Sequence, residues 1–223
     1  TMVYHKSRTL FALNIAKKSK AKRYILCEGY MDVISMHEAG FDTAVCACGT
    51  ALTAEQAKLL SEYAEEIILS YDSDEAGQKA TERSLGILAS TPLKVSVLSY
   101  QGAKDPDEFI KKYGRERFEM LLNGTANPTE FQLKKAKAKY DLRSDDGRLS
   151  YIREAIGILT ERGVSPTARD VYAGRIAEET GVSKQAIVSQ IGGAMHTAER
   201  RSRRQEQRDL SKEGIAADIR VPY

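Results

Sequence analysis

Short apolar runs alternate with amphipathic stretches through the first half of the chain. Four runs rich in Ile, Val, Leu and Tyr have the length of strands, and they occupy residues 24–28, 43–48, 66–71 and 94–99. Between them, apolar residues recur at helical spacing over residues 30–39, 53–64 and 75–89. The run Thr53-Ala54-Glu55-Gln56 has the pattern of a capping box, which predicts the start of the second helix. This alternation predicts an α/β unit with a mainly parallel sheet and flanking helices.

The strand pattern ends near residue 106, and helical spacing alone continues from there. We therefore expect an all-α helical subdomain to follow the sheet. The predicted divisions are a basic N-terminal segment at 1–23, a sheet-containing subdomain at 24–124, a helical subdomain at 125–195, and a basic polar tail or linker at 196–223.

Composition narrows the class of protein. The chain has 223 residues, of which 42% are hydrophobic, so it has enough apolar surface for a real core. No apolar run approaches the roughly 18 residues of a membrane span, so we expect a cytoplasmic protein with no membrane partner.

Charge is segregated along the chain: residues 1–23 carry a net charge of +7, residues 24–110 carry −10 and residues 111–223 carry +6. An acidic unit between basic flanks suits cation binding beside a polyanion.

The three cysteines are best interpreted as reduced core thiols. Cys27, Cys46 and Cys48 lie in or beside predicted strands, and their odd number fits a reducing compartment. The spacing of Cys46 and Cys48 lacks the two-residue gap of zinc ribbons, and no His lies nearby. We therefore expect no zinc site.

Acidic residues follow three of the predicted strands. Glu28 follows the first strand, Asp72 and Asp74 follow the third, and Asp105 and Asp107 come soon after the fourth. In an open α/β sheet, chemistry collects at the carboxyl ends of the strands. Carboxylates from three connections suit hard cations such as Mg²⁺ or Mn²⁺. The short spacing would let Asp72 bridge two ions roughly 3.5–4 Å apart while Asp74 binds only the second, an arrangement that serves phosphate chemistry.

Each acidic cluster also has a purely structural interpretation. Asp72 and Asp74 form a triplet with Ser73 that often does no more than start a helix, and Asp105 before a proline is an ordinary helix start. Asp32 would favour a helix N-terminus electrostatically. Against this, Asp72 follows a strand that is buried on both faces, where an unpaired carboxylate is costly. A cation or a basic partner is therefore expected beside it.

These motifs resemble a known family. The runs Glu28-Gly29-Tyr30-Met31-Asp32, Tyr71-Asp72-Ser73-Asp74 with Ala76-Gly77, and Asp105-Pro106-Asp107 are similar to the TOPRIM unit of bacterial DnaG-type primases. The likeness covers residues 24–110, and the segment His5-Lys6-Ser7-Arg8 resembles the part of the primases that precedes it. Many family members carry Gly where this chain has Ser73, a change that should not disturb metal binding.

The resemblance implies a TOPRIM-type fold and a DNA-dependent RNA primase that makes short RNA primers. Glu28, Asp72 and Asp74 would hold the ions, and Asp105 and Asp107 would be further ligands or their neighbours. In the topoisomerases that share this fold, the counterpart of Glu28 is regarded as a general acid or base, which is the alternative role. The expected contacts to nucleotide or template come from Lys6, Arg8, Gly29 and Asp32.

The resemblance also implies partners and missing parts. The partners would be a single-stranded DNA template, ribonucleoside triphosphates, the RNA primer and a replicative helicase at the replication fork. We expect the zinc-binding domain, the N-terminal α/β lobe and the C-terminal helicase-interaction domain to lie outside the chain. A fragment without them should synthesise primers poorly.

Other functions fit parts of the pattern. Another TOPRIM enzyme, either a nuclease or a topoisomerase fragment, is the nearest alternative, although no one of the 11 tyrosines stands out as a nucleophile. A phospho-acceptor signalling domain would not need three acidic clusters. A non-catalytic DNA-binding module would use the helix-turn-helix pattern at 176–187, where Lys184, Gln185 and Gln190 would face DNA. Such short helix pairs are more often packing units.

Overall fold

The computed structural model describes residues 5–47, 51–161 and 164–218, with side chains described through Arg201 and at Arg203. The chain divides into two compact units, one ending at Phe131 and the other beginning at Gln132. This division falls a few residues after the boundary expected at residue 124. Each unit is described by itself below.

A four-stranded parallel sheet forms the centre of the first unit. The strands are β1 (Arg23–Cys27), β2 (Ala44–Cys46), β3 (Glu66–Ser70) and β4 (Lys94–Val97), in the order β2-β1-β3-β4. Ile25 of β1 is paired with Ala44 on one side and Ile68 on the other, which fixes the register of β1 against β2 and β3. The four predicted strands and the parallel sheet are confirmed, with ends that differ by one or two residues.

Helices of the first unit follow the predicted segments. They are α1 (Leu13–Ala16), α2 (Tyr30–Glu38), α3 (Ala54–Ser61), α4 (Glu75–Leu88) and α5 (Pro106–Asn123), with a 3-10 turn at Lys6–Arg8 before them. The Thr53 hydroxyl accepts the Gln56 N–H at 3.1 Å, and the Gln56 side chain accepts the Thr53 N–H at 3.0 Å. This reciprocal pair is the capping box expected from the sequence, and it starts α3.

The two faces of the sheet are covered by different helices. Tyr24, Leu26, Ile67 and Leu69 pack with buried residues of α3 and α4. Their neighbours Ile25, Cys27 and Ile68 point to the other face, where they pack with α2 and α5. Successive strand residues alternate between faces, so both sides of β1 and β3 are apolar.

The basic N-terminal segment is tied to the first unit by polar contacts. Phe11 pairs antiparallel with Cys46 at the outer edge of β2. The Gln56 side chain donates to the backbone carbonyls of Lys6 and Thr9 at 2.9 and 2.8 Å, and Thr53 donates to the Ser7 carbonyl at 2.6 Å. The 3-10 turn is thereby held against the start of α3.

The second unit is helical, as expected. Its helices are α7 (Asp145–Leu159), α8 (Pro166–Thr180) and α9 (Lys184–Asp218), together with the part of α6 (Pro128–Ala138) that follows Phe131. Gly181 ends α8 with φ +72°, a conformation that favours glycine, and α9 begins three residues later. Ile176, Ile187 and Ile191 are buried in one core cluster, so this helix pair packs as a unit while Gln185 and Gln190 are exposed.

Two of the three cysteines lie in the core of the sheet. Cys27 and Cys46 are buried cysteines on neighbouring strands and, within the described residues, form no disulfide, and burial holds the pKa of the Cys27 thiol well above its ordinary value. Cys48 lies outside the described residues.

Among the helices of the described ranges, none combines the length and apolarity that a bilayer crossing requires.

Candidate carboxylate centre

The three acidic clusters meet at one edge of the sheet. Because β1, β3 and β4 are adjacent and parallel, the connections that follow them leave the sheet side by side. The connections after β3 and β4 are also bonded to each other. Both the backbone N–H and the hydroxyl of Ser73 donate to the Lys104 carbonyl, at 2.9 and 3.0 Å. Ser73 therefore ties two acidic loops together.

Asp72 has the basic partner that its position after a buried strand requires. The Lys104 ammonium lies 3.7 Å from an Asp72 carboxylate oxygen, and the Asp72 side chain is 23% exposed. Burial and the negative charge of Glu28 raise the pKa of Asp72, while Lys104 lowers it. The pair is long and Lys104 is mostly exposed, so Asp72 remains accessible to a stronger cation.

The backbone of Asp72 is held by the first turn of α4. At Gly77, an added Cβ would lie 2.1 Å from the Asp72 carbonyl oxygen and 2.7 Å from its carbonyl carbon. No side chain fits in that gap. Gly77 is thus required because helix and loop touch, rather than because of its backbone angles.

Asp74 and Asp105 each start a helix, as the structural interpretation expected. An Asp74 oxygen accepts the Gly77 N–H at 2.9 Å at the start of α4. An Asp105 oxygen accepts the Glu108 N–H at 2.8 Å at the start of α5. A cap uses one carboxylate oxygen and fixes its direction, which leaves the second oxygen for another ligand.

Asp107 is bound within the protein. It accepts a hydrogen bond from the Ser35 hydroxyl of α2, and its other oxygen is 2.6 Å from the Lys111 ammonium. The bonds from Lys111 and Ser35 lower the pKa of Asp107. Of the predicted metal ligands in the described residues, Asp107 is therefore tied to neighbouring side chains on both of its oxygens.

The segment after β1 combines an exposed carboxylate with a half-buried one. Glu28 is exposed at the end of the strand. Gly29 has φ −114° and ψ 159°, angles that any residue adopts, so the bend between β1 and α2 does not require glycine's backbone freedom. Its N–H donates to Asp32 at 3.0 Å, which shows the helix-capping role of Asp32.

Asp32 also senses the other acidic clusters. Burial and, to a smaller extent, the charges of Asp72, Asp105 and Asp107 raise the pKa of Asp32 to about 6, against the lowering effect of the Gly29 hydrogen bond. Carboxylates from all three connections are therefore close enough to repel one another.

The chemistry of these side chains fits a divalent cation. Their oxygens are hard ligands, and their mutual repulsion is the energy that a cation would relieve. Within residues 5–47, 51–161 and 164–218, no three acidic, His or Cys side chains are close enough to chelate one ion. The three acidic connections lie side by side, but most of their carboxylates are held by other groups. The side chains in helix caps are Asp32, Asp74 and Asp105, and those in ion pairs are Asp72 and Asp107.

Three polar neighbours of this centre were not expected from the sequence. Lys104 pairs with Asp72, and Ser35 and Lys111 hold Asp107. Lys104 directly precedes Asp105, so a lysine within the third acidic cluster was a usable signal. Ser35 carried none, because its role depends on the packing of α2 against α5.

Two stretches of the chain match known families. Residues 25–110 match a family described as Toprim-like, and residues 129–185 match the DnaB-helicase binding domain of primase. A DNA primase from Clostridium acetobutylicum is 36% identical over 192 residues, which are 86% of this chain and 32% of that protein.

The chain belongs to the bacterial DnaG-type primase family.

Solved primase structures agree with the fold. The RNA polymerase domain of Mycobacterium tuberculosis DnaG, solved with a double-stranded DNA oligomer with a 6-nucleotide overhang, superimposes with a TM-score of 0.67 at 31% identity. The match covers 82% of this chain and 60% of that one. A DnaG primase catalytic domain bound to ssDNA gives 0.64 at 26% identity, covering 83% and 60%. Since the first unit ends at Phe131, both matches extend into the helical unit.

The share of the relative that the chain covers, and the position of the helicase-binding match, bear on which primase parts lie within the chain. The chain spans about a third of the curated relative it matches. The helicase-interaction domain was expected outside the chain, whereas the helicase-binding match lies at residues 129–185, at the start of the helical part. The matched relative and structures are primases, which favours the primase interpretation over the nuclease and topoisomerase alternatives.

Proposed function

We propose that this chain carries the nucleotidyl-transfer centre of a DNA-dependent RNA primase, which joins ribonucleotides into a primer on single-stranded DNA. The observation that carries the proposal is the meeting of three acidic connections at one edge of the sheet, with two of them bonded through Ser73 and Lys104. The primase relatives supply the reaction class.

The ligands proposed for Mg²⁺ or Mn²⁺ are Glu28, Asp72 and Asp74, with Asp105 and Asp107 beside them. When bound, such ions lower the pKa of an attacking hydroxyl and neutralise a triphosphate and its leaving group. Asp74 keeps one oxygen on the Gly77 N–H, so only its other oxygen is available. To bind an ion, Asp107 would have to break its contact with Lys111 or Ser35, so its proposed role is to support the site beside the ligands.

The remaining residues act on the substrate. Lys6 and Arg8 are proposed to contact phosphates, because their backbone is fixed at the start of α3 while their side chains stay exposed. Gly29 and Asp32 are also proposed to contact nucleotide or template; because the Gly29 N–H donates to Asp32 Oδ2, the Asp32 contact would use its other oxygen.

The proposed partners follow from the relatives. A DnaG catalytic domain has been solved with ssDNA, which supports a single-stranded template here. The match at residues 129–185 supports a contact with the replicative helicase through the helical unit. The protein would act at the replication fork in the cytoplasm.

Metal binding tests the proposal directly. In Asp72→Asn, the loss of a shared anionic ligand should weaken Mn²⁺ binding, measured by electron paramagnetic resonance, and should also weaken Mn²⁺-dependent binding of a ribonucleoside triphosphate. Asp145→Asn is the matched control, because Asp145 is an exposed acid in the first turn of α7, in the other unit. Equal Mn²⁺ affinity in both variants and the wild type would contradict the site.

A further inference from the structure

A cavity of about 320 Å³ opens beside Glu28, on the face of the sheet covered by α3 and α4. Leu52, just before α3, lines it on one side, and Arg83 and Ser84 of α4 line it on another. Tyr71, the residue before Asp72, also borders it. Its volume lies near the lower end of the roughly 300–1,000 Å³ usual for small-molecule sites. The cavity therefore joins the carboxylate centre to α4.

Arg83 is the cation of this cavity. Among the residues that the structure describes, none forms a hydrogen bond or ion pair with its guanidinium. Nearby polar groups are already paired: Ser84 is bonded to the Tyr71 hydroxyl at 3.0 Å, and Lys79 is 2.5 Å from Glu75. An arginine with free donors beside an acidic centre is placed to bind an anion.

The direction of α4 brings Arg83 toward the centre. The helix starts at Glu75, directly after Asp74, so Arg83 lies about 12 Å along the axis from the first turn. Side chains on a helix lean toward its N-terminus. The long Arg83 side chain thus leans back toward the carboxyl edge of the sheet, where it lines the same cavity as Glu28.

We propose that Arg83 binds a phosphate group in this cavity, and that this phosphate belongs to the polyphosphate of the incoming nucleotide. The inference rests on the proposed function, because a cation held at Glu28 and Asp72 makes the acidic end of the cavity receptive to phosphate. A polyphosphate would then lie between two positive groups, the bound ion and the guanidinium. Phosphate oxygens accept the guanidinium fork in a bidentate manner.

The test compares Arg83→Gln with Lys79→Gln in the full chain. Both changes remove one positive charge from the same helix, one turn apart, and Lys79 does not line the cavity. In the presence of Mn²⁺, Arg83→Gln should weaken binding of a ribonucleoside triphosphate and of pyrophosphate by about 10- to 100-fold, the range of a lost charge-assisted bond. Lys79→Gln should stay within about twofold of the wild type, as expected for an exposed ion pair. Arg83→Lys should fall between them, since it keeps the charge and loses the fork.

Three further measurements separate the outcomes. Mn²⁺ affinity without nucleotide should be the same in Arg83→Gln as in the wild type. If the wild type itself binds no Mn²⁺, that result refutes the proposed metal centre and not the role of Arg83. A nucleoside monophosphate should be affected less than the triphosphate. If Arg83→Gln weakens a single-stranded oligonucleotide but not the triphosphate, the phosphate is that of the nucleic-acid backbone and the nucleotide assignment is wrong. Equal affinities of Arg83→Gln and Lys79→Gln for every phosphate ligand would overturn the inference.

Discussion

The contact between Gly77 and Asp72 predicts that a single methyl group disturbs the carboxylate centre. In Gly77→Ala, the distance from the new Cβ to the Asp72 carbonyl oxygen must grow from 2.1 Å to at least 3.0 Å. Backbone atoms lie on both sides of this contact, so no side-chain rotation relieves it. Either the first turn of α4 or the Asp72–Asp74 loop therefore has to move by about the difference between these two distances, close to 1 Å.

The cost can be isolated with a second glycine of α4. Forcing a methyl group into a filled site costs about 1–3 kcal/mol, while replacing a helical glycine by alanine gains about 1 kcal/mol. Gly86 is exposed in α4, and an added Cβ there meets nothing within 4 Å. Gly86→Ala should therefore show the gain alone. The difference in unfolding free energy between the two alanine variants should be about 1–3 kcal/mol, with Gly77→Ala the less stable.

Urea unfolding followed by circular dichroism measures that difference, and Mn²⁺ affinity reports on the loop. Gly77→Ala should bind Mn²⁺ more weakly than Gly86→Ala, because a displacement of this size moves Asp72 and Asp74 relative to Glu28. Displacements near 1 Å in catalytic groups cost about 100-fold in rate. If the two variants are equally stable and bind Mn²⁺ equally, helix and loop are not in contact and the reasoning is wrong.

Four other outcomes are expected. The folded-state pKa of Asp32, about 6, lies above its ordinary 3.8, so its stabilising contribution is present below about pH 4 and lost as pH rises through 6. Asp32→Asn should flatten that fall in unfolding free energy, and parallel pH profiles would contradict it. Asp72→Ala should reduce Mn²⁺ binding, measured by calorimetry, more than Asp74→Ala does. Asp74→Ala should also lower the free energy of unfolding in urea by about 1 kcal/mol, because the α4 cap is lost. Fluorescence anisotropy should show single-stranded DNA binding that weakens steeply with salt, and removal of residues 196–223 should weaken it only if the arginine tail takes part. Primer synthesis should be slow for this chain and faster for one extended N-terminally; comparable rates would mean that template positioning lies within it.

The fold was predictable from periodicity because each strand is short, apolar on both faces and followed by a clear helix start. Thr53 and Gln56 show this at the level of single residues, since a four-residue pattern correctly predicted a reciprocal pair of hydrogen bonds. The convergence of Glu28, Asp72 and Asp105 was predictable for the same reason, because parallel strands place their carboxyl ends at one edge.

Side-chain partnerships were much less predictable. Gly29 adopts ordinary extended angles, whereas Gly77 carries a steric requirement. The difference lies in a contact between α4 and the loop before it, which no local pattern encodes. The bond from Ser35 to Asp107 likewise joins residues 72 positions apart in sequence.

The strand order has a consequence for how the centre can change over evolution. The chain leaves β1 toward one face of the sheet, through α2, and leaves β3 toward the other, through α4. Adjacent connections that part in opposite directions leave a crevice between them, known as the topological switch point. The crevice between Glu28 and Asp72 is therefore a product of chain connectivity, and not of any particular side chain. Substitutions in the outer helices alter what enters it, while its location stays fixed as long as β1 and β3 remain neighbours.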